Sequence, residues 1–145
     1  MPFDDLQTAA FGSALGGTPA DARKRRAGRV AGHAGRAAEE RVRRWYEARG
    51  ATVLAERWRP GRDYGGGEVD LIVRHGGAVA FVEVKARRTR AEAANSITPA
   101  QWRRLEAAAL RFMMLHKTGE ADLRFDVALC GRDGTMEVIV NARMI

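Results

Sequence analysis

Glu68, Asp70, Glu83 and Lys85 lie within GGGEVDLIVRHGGAVAFVEVKARR, residues 65–88, embedded in two strongly apolar runs. Carboxylates in such a setting have few remedies: they share a proton, recruit a cation from the protein, or bind a metal. Mg2+ takes oxygen ligands, uses one or two carboxylates and keeps several waters. A lysine beside such an ion can hold or deprotonate one of those waters. That is the equipment for phosphodiester hydrolysis, in which the metal polarises the phosphate and acidifies the water while the lysine aids the nucleophile.

The positions of these side chains follow from the strands that carry them. The two apolar runs read as a hairpin, Glu68–Arg74 and Val79–Ala86, about a His75-Gly76-Gly77-Ala78 turn. Alternation puts Phe81, Glu83 and Lys85 on one face and Val82 and Val84 on the other, while Glu68, Asp70 and Ile72 share a face of the preceding strand. A two-residue loop at Gly76-Gly77, or a four-residue loop over 75–78, sets Asp70 opposite Glu83 and Glu68 opposite Lys85. A three-residue loop would break that register. Directly opposed side chains have Cβ atoms ~4.5–5.5 Å apart, where like charges repel. Lys85 can neutralise one of the two acids, but it cannot easily satisfy both and stay paired with Glu68. A lone Glu-x-Lys in a strand is ordinarily an exposed ion pair; facing acids on adjacent strands of a basic chain favour a metal site.

Around the hairpin, residues 1–31 read as a disordered basic tail, with Gly12, Gly16, Gly17 and Pro19 ahead of the cluster Arg23-Lys24-Arg25-Arg26. Residues 32–145 form the folded domain. A helix from His33 to Arg49 carries the stripe Ala34, Ala38, Val42 and Trp45, with Gly50 placed for a left-handed cap. A strand at Thr52–Trp58 and a Gly-rich loop, Pro60–Gly67, precede the hairpin. Arg87–Ser96 reads as a loop or weak helix. A second helix runs from Pro99 to about His116 on the stripe Trp102, Leu105, Ala109 and Phe112, opened by a Thr98-Pro99-Ala100-Gln101 capping box. Strands Asp122–Leu129 and Met136–Asn141 close the chain. The order α-β-β-β-α-β-β implies an α/β fold.

Composition narrows the class. The 145 residues are 46% hydrophobic and 30% charged, as in a globular domain. The 25 Lys+Arg against 18 Asp+Glu leave +7, which suggests a polyanionic partner, nucleic acid before membrane. The single Cys130 rules out an intramolecular disulfide and a cysteine zinc cage. No apolar run approaches the ~18 residues of a membrane span. Asp4 and Asp5 oppose a signal peptide, so a cytoplasmic location is expected. His33, His75 and His116 show no metal-ligand spacing, His75 is expected to be solvated at its turn tip, and Cys130 reads as core.

Asp70 followed by Glu83-Val84-Lys85 resembles the Asp…Glu-x-Lys core of restriction-endonuclease-like nucleases. The hairpin stretch, with AEERVRRWYEARGATVLAERWR before it and DLRFDVAL after it, resembles the YraN-like family of bacterial proteins over about residues 32–143. That family is distantly similar to archaeal Holliday-junction resolvases. The resemblance implies a central mixed sheet flanked by helices, with Asp70 and Glu83 as ligands of Mg2+ or Mn2+. It implies the Val84 carbonyl as a third ligand and Lys85 as the group acting on the attacking water. Glu39 matches a glutamate that approaches the site from the first helix, and it shares a row with Val42 and Tyr46; a surface acid is the other reading. Glu40 lines up with Arg43, Arg44 and Glu47 and should face solvent. Gln101 and Glu68 are accessory candidates, although the capping box alone accounts for Gln101. Arg124 and Asp126 fit a structural pair. Arg87, Arg88, Arg90, Arg103, Arg104 and Arg111 are candidate phosphate contacts.

The function this implies is a metal-dependent endonuclease acting on structured or branched DNA, with DNA favoured over RNA. A nucleic-acid-binding or scaffold protein that keeps the fold without cleaving is the alternative. The analogy with resolvases, which make two symmetric cuts, allows a homodimer, although the sequence itself carries no sign of one.

Overall fold

The capping box at the start of the longest helix forms as its residues require. In the computed structural model, which describes residues 35–61, 63 and 67–143, the Thr98 hydroxyl accepts from Gln101 N and the Gln101 side chain accepts from Thr98 N. The expected basic tail and the middle of the Gly-rich loop lie outside the described residues.

The elements are α1 (35–48), β1 (Thr52–Trp58), β2 (Val69–His75), β3 (Ala78–Arg87), α2 (Arg90–Ala94), α3 (Pro99–Leu115), β4 (Asp122–Gly131) and β5 (Met136–Arg143). The short α2 is the one addition to the sequence-based order, capped by Thr89, whose hydroxyl accepts from Glu92 N. Gly50 takes φ +81 after α1, the left-handed cap anticipated there. The five strands run in the order β1-β2-β3-β4-β5. Only β3 and β4 are parallel, and the connection between them carries α2 and α3. The sheet is therefore mixed, as expected.

Each face of the sheet has its own core. Ala38, Val42 and Tyr46 of α1 cover Leu71, Val73, Ala80, Val82, Ala128 and Cys130. On the other face, Leu105, Ala108, Ala109 and Phe112 of α3 pack on Ile72, Val79, Phe81 and Phe125, and Ala93 of α2 packs on Val127 and Leu129. Tyr46, rather than Trp45, is the fully buried aromatic of α1. Among the described residues, no helix is long and apolar enough to cross a membrane.

Tyr46 also closes a polar link across the sheet. Its hydroxyl donates to Asp126 Oδ2 at 2.6 Å, and Asp126 is fully buried. Arg124 meets the same carboxylate through two bonds of 2.9 Å, and Asn141 N donates to it at 2.9 Å. The Arg124–Asp126 pair is thus structural, as its sequence position suggested. His75 departs from expectation: its Nδ1 lies 3.0 Å from Arg124 Nη2 and its ring stands edge-on to Tyr46, so it is half-buried rather than solvated. Removing the hydroxyl leaves a buried acceptor short of one donor, so Tyr46→Phe should cost ~1–3 kcal/mol. Asp126→Ala, which strands a buried guanidinium, should cost more, ~3–5 kcal/mol. Urea melts of the variants check both; a Tyr46→Phe midpoint equal to wild type would show that the link carries no stability.

Candidate metal centre

Gly76 and Gly77 form a two-residue turn with φ +58 and +78, values that glycine adopts without a Cβ penalty. The turn fixes the expected register, with Ile72 opposite Phe81 and Leu71 opposite Val82. Alternation then aims Phe81, Glu83 and Lys85 at the α2/α3 face, while Val84 and Ala86 join the α1-side core.

Leu71–Val82 is the last pair of the ladder. One residue further, the Asp70 side chain takes over the role of strand backbone: its Oδ2 accepts from Val84 N at 2.8 Å. A residue's N–H and C=O point to the same side of a strand, so the Val84 carbonyl also faces this gap. Asp70 lies close enough to Glu83 for their charges to interact, and Glu83 in turn meets Lys85 Nζ at 3.3 Å. Lys85 is itself buried. The expected meeting of Asp70 and Glu83 is present. The expected apposition of Glu68 and Lys85 is not, because the strands part before reaching it.

Glu68 turns instead toward α1. Carboxylate oxygens of Glu39, Glu68 and Asp70 lie within 4.8 Å of one another, a spacing a metal ion can bridge. Asp70 therefore belongs to two sets, one with Glu83 and the Val84 backbone, the other with Glu39 and Glu68. Hard oxygen donors from carboxylates and a carbonyl suit Mg2+ or Mn2+. Two arginines not singled out in the sequence, Arg57 of β1 and Arg59 just beyond its end, neutralise part of this charge: Arg57 Nε lies 2.8 Å from Glu39 and Arg59 Nη2 3.1 Å from Glu68. Their one legible signal was the spacing of two at the end of β1. Glu40 faces solvent with Arg43 and Arg44, as its row predicted.

Burial, and then the neighbouring Glu83, push the Asp70 carboxyl up to about 8. Burial likewise raises Glu83, against the pull of Lys85. Among the described residues, no basic side chain forms an ion pair with Asp70, and a carboxyl raised this far favours its neutral form at pH 7.

A cavity of about 140 Å³ opens beside the acids, lined by Gly67, Glu68, Glu83, Gln101, Arg104 and Leu105. Gln101 thus serves the cap and borders the site. The other arginines spread more widely. Arg88 pairs with Glu92, Arg90 with Glu137, Arg87 and Arg103 are exposed, and Arg111 is half-buried. Cys130 is buried and its thiol is pushed up by that burial, in keeping with a core role.

The model of the uncharacterised protein family UPF0102 matches residues 38–130. Among curated relatives, a UPF0102 protein of Ruegeria pomeroyi is 47% identical over 110 residues, 75% of this chain and 86% of its own. One of Roseobacter denitrificans is 44% identical over 117 residues, 80% of this chain and 88% of its own. One of Ruegeria sp. strain TM1040 is 44% identical over 123 residues, 84% and 94% of the two chains. The matched segment contains every acid of the centre, together with Lys85, Gln101 and Arg104.

The proton on Asp70 has a measurable consequence in metal-free buffer. Its folded value, about 8, exceeds the ordinary 3.8, so between these limits the folded state binds a proton that the unfolded chain releases. Stability from this group is whole below about pH 4 and is lost as pH rises toward 8. Asp70→Asn cannot ionise, yet it keeps an acceptor for Val84 N and a donor for Glu83. In EDTA its melting temperature should match wild type near pH 4 and exceed it increasingly toward pH 8. Parallel curves across that range would mean that Asp70 is already ionised in the metal-free protein.

Proposed function

This chain belongs to the uncharacterised protein family UPF0102, and from that premise, which names no activity, we propose that its site makes it a metal-dependent nuclease acting in the cytoplasm on structured or branched DNA. The observation that carries this reading is the mismatch of charge at the hairpin. Four carboxylates, Glu39, Glu68, Asp70 and Glu83, meet three cations, Arg57, Arg59 and Lys85, and the acid left over is Asp70, half-buried at the junction. A purely structural ion-pair network has no need of a surplus half-buried acid, whereas a divalent cation does.

Asp70, Glu83 and the Val84 carbonyl would hold Mg2+ or Mn2+, with Glu39 and Glu68 supplying further oxygen ligands or holding waters. The ion supplies Lewis-acid polarisation of the phosphate and a more acidic water. Lys85, held against Glu83 and shielded from solvent, is placed to orient that water and stabilise its deprotonated form. Arg87, Arg88, Arg90, Arg103 and Arg111 would draw the phosphate backbone toward the α2/α3 side without reading sequence.

The arginine pairs on Glu39 and Glu68 favour a second reading, a nucleic-acid-binding or scaffold protein that keeps this fold without cleaving. Labelled linear, flap and four-way-junction DNAs, with RNA alongside, separate the two in Mg2+ or Mn2+. The nuclease reading expects junction or flap cleavage that EDTA and Asp70→Asn abolish and that Lys85→Met lowers by ~10²–10⁴. Binding without cleavage of any substrate would leave the scaffold. Both readings expect log K to fall with log[salt] by about 0.9 per phosphate neutralised; a flat response would remove nucleic acid as the partner.

A further inference from the structure

The cavity beside the acids has two chemically opposite walls. One is anionic, with Glu68 at the entry to β2 and Glu83 on β3. The other is the first two turns of α3, where Gln101 and Arg104 bring donors beside the apolar Leu105. The capping box fixes Gln101 Oε1 on Thr98 N, leaving the NH2 of its carboxamide as the group free to donate. Arg104, one turn on, borders the same cavity, and among the described residues its guanidinium makes one long hydrogen bond, Nε to Ala100 O at 3.4 Å. Gly67 fits closely against this arginine. It takes φ +111, and a Cβ there would lie 3.3 Å from Arg104 Cβ, so the absence of a side chain lets the backbone at residue 67 lie against Arg104. At about 140 Å³ the space holds several waters or one phosphate group.

With the acids alone, an anion would be repelled from this space. With a divalent cation on the acids, the same space has cations on one side and donors on the other. We infer that it seats a single phosphate group of the nucleic acid, gripped by Arg104 and Gln101 of α3 opposite the metal-bearing acids, and that Arg104 acts only when the metal is present. This rests on the nuclease reading and gives Arg104 a role that the other surface arginines lack. A forked guanidinium suits two phosphate oxygens at once, where an ammonium offers a point charge.

Binding, rather than cleavage, tests this. Anisotropy of a labelled four-way junction is measured in EDTA and in Ca2+, with a salt series for each. Wild type should bind more tightly in Ca2+. Arg104→Ala should remove that gain, a loss of roughly tenfold or more, while changing affinity in EDTA less than about twofold. Arg104→Lys should restore part of the gain, and Arg103→Ala, one position back on the exposed surface, should weaken binding equally in both buffers. Because Arg104 is exposed, the variants should melt as wild type does; Arg104→Gln serves if Arg104→Ala does not. A full Ca2+ gain in Arg104→Ala overturns the phosphate seat and leaves the nuclease reading standing. The absence of any Ca2+ gain in wild type overturns both.

Discussion

A carboxylate stands where the next rung of a β-ladder would be. After Leu71 and Val82 the hairpin strands separate, and Val84 N donates to Asp70 rather than to backbone. Everything at the site depends on this replacement. It holds Asp70 in the gap between β2 and β3, where it is reachable from both faces of the sheet. Glu39 approaches from the α1 side and Glu83 from the α3 side. It also leaves the Val84 carbonyl facing the same gap, because a strand residue presents its donor and acceptor to one side. A regular hairpin one pair longer would have used these backbone groups internally.

The rest of the molecule accommodates the resulting charge by three different means. Arginines at the end of β1 meet the outer acids, a buried lysine meets Glu83, and a raised pKa favours the neutral form of Asp70. Arginine suits the outer positions because its guanidinium keeps contact with water. The proton is the remedy left for the innermost acid, since a cation there would need a partner and a desolvated seat. The basic residues thus fall into an internal set, which meets the protein's own carboxylates, and an external set displayed on α2, α3 and the end of β3.

The sheet and its hairpin were legible because a Gly-Gly turn between alternating runs admits few registers. Capping residues marked α3 at both the box and the proline. Glu39 was visible as a row-mate of Val42 and Tyr46, and Glu40 as a solvent-facing neighbour. What stayed hidden depended on where pairing stops. Glu68 was placed opposite Lys85 by extending the ladder, but a side chain outcompeted backbone for Val84 N, and the strands diverged. Arg57 and Arg59 escaped notice because a strand's alternation says nothing about which helix its end approaches. Arg57 also adopts φ +48, a left-handed backbone that no local sequence signal predicts. His75 was hidden for a related reason: its partners, Tyr46 and Arg124, are remote in sequence and meet only in the folded sheet.

The hydrogen bond from Tyr46 to Asp126 is more than an internal tie, because Tyr46 and Glu39 share one rigid helix. Two turns separate them, about 10 Å along the axis. The buried phenol is the pivot and the glutamate is the tip of the arm. A tilt of roughly 10° about that pivot would move the tip by about 2 Å, the difference between a carboxylate that touches an ion and one that misses it. Residues packed around the Tyr46 ring, Val42 on its own helix and Leu71 and Val73 beneath it, are therefore the alignment screws of a centre they never contact. Substitutions that repack this layer while preserving its volume would change the reach of Glu39 without altering a single acid.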